Sequence, residues 1–207
     1  IGTLVLYYQL ELRSLNWGVV VVVFTAVAII VALIVTTFIL NFRSSRRYLY
    51  YTYYSTLTDT PNSKYFKEYV DEDIRNKHEG KRAAVLISYR NFKTINTLFG
   101  YRYGEQVIKE LADKLNSFAS ESRILFHLYG DRYVFYVKDY ADKKELEQLC
   151  EKIVGDLKSS LITKTSGISI GAVEITDTYT TYDQILQRAF IAAGNVKEDK
   201  AIGYAFY

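Results

Sequence analysis

Residues 124–138 read ILFHLYGDRYVFYVK, and the fold follows from how this stretch is read. Ile124 to Leu128 and Tyr133 to Lys138 are short runs rich in aliphatic and aromatic residues, separated by Tyr129-Gly130-Asp131-Arg132. Two such runs parted by a short Gly-Asp segment predict a β-hairpin. His127, alone in the first run, reads as a packed core or edge side chain. Upstream, AAVLIS (Ala83 to Ser88) has the length of a fully buried strand. A helix is expected near Asn91 to Thr97, then a loop at Gly100 and Gly104. Val107, Ile108, Leu111, Ala112, Leu115 and Phe118 carry the spacing of a long amphipathic helix.

Downstream, Leu146, Leu149, Ile153, Val154 and Leu157 mark another helix, GISIGAVEI (Gly167 to Ile175) a strand, Tyr182 to Val196 a helix, and Tyr204 to Tyr207 a short edge strand. Before the hairpin, Phe66, Tyr69, Val70 and Ile74 share a helical face that ends at His78-Glu79-Gly80-Lys81, and DTPNS (Asp59 to Ser63) is a turn cluster. Helices and strands interleave without strict βα alternation. The expected class is α/β, with a mainly antiparallel sheet flanked by helices.

The remaining sequence is of another kind. From Val19 to Leu40, VVVVVFTAVAIIVALIVTTFIL carries no charge over 22 residues, and at about 1.5 Å per residue it spans roughly 33 Å, enough to cross a bilayer. Arg43, Arg46 and Arg47 follow the run, whereas only Glu11 and Arg13 are charged before Trp17. The positive-inside rule then puts the C-terminal part in the cytoplasm, anchored at the cell membrane by a single pass. Leu4, Leu6, Tyr8, Leu10 and Leu12 alternate as in a strand, and LNWGVVVVV resembles the last strand of extracellular Cache-type sensor domains running into a membrane helix. After the span, RSSRRYLYYTYYSTL is either a stalk helix, with Leu49, Tyr53 and Leu57 on one face, or an aromatic linker.

Composition narrows the function classes. The 207 residues carry 26 basic and 23 acidic side chains, a net charge of +3 that is too small for a nucleic-acid binder held by a basic surface. One cysteine, Cys150, excludes an internal disulfide, and with two histidines a Cys/His zinc cluster is unattainable. The chain starts at Ile1 and holds no methionine, as expected of a processed or excised piece.

Several blocks in order carry a family resemblance. FKTINTLFGYRYGEQVIKELADKL, LYGDRYVF, GISIGA and AFIAAGNVK resemble the GGDEF domains of diguanylate cyclases, whose patterns read FKxINDxxGHxxGD, RxGGDEF, SIG and ADxALYxAK. Leu57-Thr58-Asp59-Thr60-Pro61-Asn62 is similar to that family's LTGLPN, with Asp59 in place of glycine. The resemblance implies a sheet of adenylyl-cyclase type. It divides the chain into a sensor tail at 1–18, a transmembrane helix at 19–42, a stalk or linker at 43–58 and a degenerate GGDEF domain at 59–207.

Active members join two GTP into cyclic di-GMP, one nucleotide on each of two facing domains, with Mg²⁺ held by two carboxylates. On this sequence the first carboxylate position is Ser88, with Arg90 two residues on; the second survives as Asp131. The turn reads Tyr129, Gly130, Asp131, Arg132, Tyr133, so the first glycine has become tyrosine and the catalytic-position glutamate has become Arg132. A tyrosine ring is expected to fill space where glycine admits phosphate, and a guanidinium cannot take a proton. No catalytic residue is therefore assigned, and no useful cyclase activity is expected.

By the same resemblance the nucleotide-binding positions are Asn96, Glu105, Arg132 and Lys197, with Ala201 in place of a second phosphate-binding arginine. Arg132 and Lys197 could hold a triphosphate with little Mg²⁺. Each residue has a plainer explanation as well: a backbone cap for Asn96, a solvated acid for Glu105, an ordinary turn for Asp131. The product-inhibition motif RxxD falls on SESR (Ser120 to Arg123), which implies no feedback through that site. The expected function is a membrane-anchored signalling protein that relays or regulates cyclic di-GMP signalling, with GTP, a second copy and a cyclic di-GMP phosphodiesterase domain as partners. An active cyclase using Mg²⁺ and a scaffold that binds no nucleotide stand as alternatives.

Overall fold

The computed structural model describes residues 2–76, 80–158, 167–176, 180–196 and 202–207, and the chain divides into two compact units, Ile1–Tyr50 and Tyr51–Tyr207. The first unit is helix: α1 runs Gly2–Tyr53. Its segment Trp17–Tyr53 is long and apolar enough to cross a membrane. The polar side chains of the apolar run are satisfied locally. Thr25, Thr36 and Thr37 donate their hydroxyls to the carbonyls of Val22, Ala32 and Leu33 at 2.9, 2.7 and 2.9 Å, so no hydroxyl hydrogen faces the apolar surface unbonded.

Two expectations fail in this unit. The lead around Leu4 to Leu12 is helix, not strand. Its apolar alternation is too short to outweigh good helix formers (Leu, Gln, Glu, Arg) contiguous with an already nucleated helix. After the apolar run the backbone stays helical as far as Tyr53, but Leu57 lies beyond the helix end and packs on the core below, so the face shared by Leu49, Tyr53 and Leu57 does not form.

In the second unit the elements are α2 (Ser63–Arg75), β1 (Arg82–Tyr89), α3 (Phe92–Phe99), α4 (Tyr101–Asn116), β2 (Arg123–Tyr129), β3 (Arg132–Lys138), α5 (Lys143–Lys158), β4 (Ile168–Ile175), α6 (Tyr182–Gly194) and β5 (Ile202–Phe206). The five strands lie in the order β2-β3-β1-β4-β5. The first three pairings are antiparallel, and β5 joins the edge parallel to β4. Central β1 is buried on both faces and sorts its side chains by parity. Ala83, Val85 and Ile87 pack with Ile95, Leu111 and Ile153 of α3, α4 and α5, whereas Ala84 and Leu86 pack with Phe66 and Val70 of α2 and Ile185 and Ala189 of α6.

Helix starts follow local chemistry. Asn62 caps α2 by accepting from the amides of Lys64 and Tyr65 at 3.0 and 3.1 Å, and Thr181 with Gln184 forms a capping box on α6. Asp59 holds φ +59°, a conformation natural to glycine and tolerated by aspartate. Gly104 is not in a loop. Gly100 alone breaks the chain at φ +83°, and Gly104 sits inside α4 because a Cβ there would come within 1.9 Å of Asn96 Oδ1.

At Gly171 the crowding involves backbone. A Cβ would lie 2.1 Å from the Ala189 carbonyl oxygen and 2.4 Å from the Ala193 nitrogen, so α6 rests directly on β4. Gly171→Ala is expected to cost about 3 kcal/mol, since the helix backbone cannot swing aside as a side chain would. Thermal melting of the full chain in nanodiscs, followed by circular dichroism, checks this; an unchanged midpoint would contradict it. A charged pair also lies under the sheet. Buried Arg82 approaches Asp73 at 3.6 Å, and Tyr136 donates its hydroxyl to the same carboxylate at 2.8 Å.

Candidate active site

The C-terminal end of β1 opens onto a cleft of about 810 Å³, bounded by α3, the β2–β3 turn, Ser169 of β4 and the end of α6. The chain is steered past it by two backbone features. Arg90 donates its amide to the Gly167 carbonyl at 2.7 Å, and Asn91 turns the chain into α3 with φ +59°. Across from them, Gly130 holds φ +57° in the hairpin turn, a conformation that strains most residues other than glycine, asparagine and aspartate. That turn presents Asp131 and Arg132 to the cleft.

Asp131 is tied to the backbone: its Oδ2 accepts the amide of Tyr89 at 2.8 Å. Burial raises its pKa above the usual carboxylate range, while the amide hydrogen bonds and the Arg132 charge pull it back down. Arg132 is clamped between rings, with its guanidinium carbon 4.9 Å from the Tyr129 centroid and 4.7 Å from that of Phe190, and it also donates to the Tyr129 hydroxyl. Tyr129 stands exposed beside Arg132 and does not line the cleft. Tyr133 is buried beneath the turn and donates to the Ile108 carbonyl at 2.8 Å.

Ser88, Asn96, Asp131 and Arg132 thus line one cleft. Glu105 does not line it; it is exposed on α4, one position past the glycine that meets Asn96. Lys197 and Ala201 lie outside the described residues. Two cleft cations had no role in the sequence reading: Arg90, whose guanidinium rests on the Gly167 backbone, and Lys93.

His127 was also underestimated. It is buried, stacked on Tyr133 with centroids 4.6 Å apart, and its Nε2 donates to the Gly130 carbonyl at 2.8 Å. Nδ1 is then the acceptor for the hydroxyls of Ser55 and Thr58, at 2.9 and 3.1 Å. The ring joins the LTGLPN-like segment to the turn that carries Asp131. A lone histidine in an apolar strand gave no signal of this.

Burial lowers the His127 pKa from its ordinary 6.5, against the raising effects of the Gly130 carbonyl and Asp131. In the acid range the unfolded chain then binds a proton that the folded chain refuses, so stability falls as pH drops through about 6.5. Between pH 7.5 and 5.5 the wild type is expected to lose stability that a His127→Gln variant keeps. Paired melting curves at the two pH values check the sign.

The donor set does not fit Mg²⁺. A hard divalent cation seeks several anionic oxygens, but among the described residues the only carboxylate lining the cleft is Asp131, with one oxygen already engaged, beside Arg90, Lys93 and Arg132. Among the described residues no three His, Cys, Asp or Glu side chains gather to hold a metal.

Residues 52–201 match the family model described as diguanylate cyclase, GGDEF domain. The chain belongs to the GGDEF family. The GGDEF domain implicates it in cyclic di-GMP signalling. It is similar to the diguanylate cyclase DgcS of Shewanella oneidensis, 25% identical over 129 residues that make up 60% of this chain and 43% of that protein. It is also similar to the bifunctional diguanylate cyclase/cyclic di-GMP phosphodiesterase MucR of Pseudomonas aeruginosa, 24% identical over 80% of this chain and 25% of that one. The chain thus spans less than half the length of these curated relatives. Among solved structures, the coiled coil and GGDEF domain of DgcB from Caulobacter crescentus, in complex with c-di-GMP, superposes with a TM-score of 0.70 at 18% identity, over 83% of this chain and 95% of that one. The mixed sheet flanked by helices is therefore the GGDEF fold.

Proposed function

We propose that this is a membrane-anchored GGDEF domain that relays or regulates cyclic di-GMP signalling without making the messenger. The observation that carries the reading is the pairing of Ser88 with Asp131-Arg132 around one cleft: at the two metal positions one carboxylate where the chemistry needs two, and a fixed cation where it needs a proton acceptor. The cleft keeps room for GTP, with Asn96 and Arg132 on its wall.

Membrane anchoring by residues 19–42, with the GGDEF domain in the cytoplasm, is supported by the apolar segment of α1 and by Arg43, Arg46 and Arg47 after it. The signalling partners proposed are a second copy of the domain and a cyclic di-GMP phosphodiesterase domain in the longer protein, an arrangement for which the bifunctional relative MucR is a precedent. Incubating the full chain in nanodiscs with GTP and Mg²⁺ and separating the products by chromatography tests the reading. Absence of cyclic di-GMP is expected, and steady accumulation would overturn it.

A further inference from the structure

The misfit with Mg²⁺ has a positive counterpart. Among the described residues, the cleft is lined by three cations, Arg90, Lys93 and Arg132, and by one carboxylate, Asp131. We infer that it takes the polyphosphate of a nucleotide as the bare anion, with these side chains supplying the charge that a divalent cation would otherwise bring. This rests on the reading above, that the domain does not run the cyclase reaction.

The geometry favours phosphate over metal at each side of the cleft. Arg132 packs its guanidinium against the Tyr129 and Phe190 rings and gives one N–H to the Tyr129 hydroxyl, which holds the group in place while the rest of its donor edge remains. A planar guanidinium offers its donors along its edge, which is the side that pairs bidentately with phosphate oxygens. Arg90 leaves β1 with its amide on Gly167, and its guanidinium lies against the backbone of that residue; a Cβ on Gly167 would come within 2.4 Å of Nη2. The glycine keeps the notch open. Asp131 is turned toward the Tyr89 amide by its Oδ2. A magnesium ion arriving with the nucleotide would meet three cations on the described walls and one carboxylate to replace its water, whereas the free polyphosphate meets a wall on which positive charge predominates.

The test is isothermal titration of the full chain in nanodiscs with GTP, in EDTA and again in excess Mg²⁺, with guanosine as the uncharged probe. GTP is expected to bind in EDTA and to weaken about tenfold when Mg²⁺ is added, while guanosine gives no heat. In EDTA, Arg90→Gln and Arg132→Gln are each expected to weaken GTP about tenfold, with Arg90→Lys and Arg132→Lys retaining part of the affinity. The comparison of EDTA with Mg²⁺ uses the unmutated chain and so does not depend on how well the variants fold. Binding that appears only with Mg²⁺, silence at millimolar GTP in EDTA, or guanosine binding as tightly as GTP would each overturn the inference. Its failure is separable from that of the broader reading: synthesis of cyclic di-GMP defeats the reading, whereas a chain that makes none and binds only magnesium-GTP defeats this inference alone.

Discussion

Supplied with GTP and Mg²⁺, the full chain is expected to form cyclic di-GMP about 10⁵-fold more slowly than an active GGDEF enzyme assayed beside it. Two losses set that scale. A missing metal carboxylate at Ser88 and a missing acid/base group at Arg132 each forfeit roughly 3–4 kcal/mol of transition-state stabilisation, and 1.36 kcal/mol is a decade in rate. Among the described residues, Asp131 is the sole carboxylate lining the cleft and shares an oxygen with the Tyr89 amide, while Arg132 is held by Tyr129 and Phe190. A rate within a hundredfold of the reference enzyme would show that another group has taken over the metal or the proton.

Asp73→Ala is expected to destabilise the domain by about 3–4 kcal/mol, because it strands a buried guanidinium without its counter-charge. Arg82 is 5% exposed, and its Nε and Nη1 lack hydrogen-bond partners, so the carboxylate at 3.6 Å supplies the charge that keeps it in place. Tyr136 depends on the same carboxylate. At about 2–4 °C per kcal/mol for a chain of this size, the melting midpoint should fall by roughly 10 °C. Replacing both members, Asp73→Ala with Arg82→Met, should recover much of the loss, since removing a buried pair together is far less costly than breaking it. If the double variant melts no higher than Asp73→Ala alone, the damage has another origin.

The centre of the fold was legible and its fringes were not. β1 and β3 are buried on both faces, so their sequences are near-continuous apolar runs, and the Gly130-Asp131 turn between β2 and β3 carries its own chemistry. The N-terminal lead misled because Leu4, Leu6 and Tyr8 mimic period two over a few residues of what is a long helix. Gly104 misled because a glycine that makes room for a side chain looks the same in sequence as one that turns the chain. Within the site, the family motifs identified four residues that line one cleft, Ser88, Asn96, Asp131 and Arg132. They did not show that Glu105 is exposed on α4 and not among the residues lining the cleft. Nor could they reveal contacts made by residue types that differ from the family pattern, such as the Arg132 stack or the His127 junction, since spacing carries no information on side-chain partners.

The seating of α6 on Gly171 bears on how this domain can respond to a guest. With a carbonyl and an amide where a methyl would otherwise be, the floor strand and the helix bearing Phe190 are locked into a single slab that has no slack to give. At the exposed hairpin tip, by contrast, rotation of the Tyr129 ring would release one side of Arg132, leaving its other contact on Phe190 and the slab unmoved.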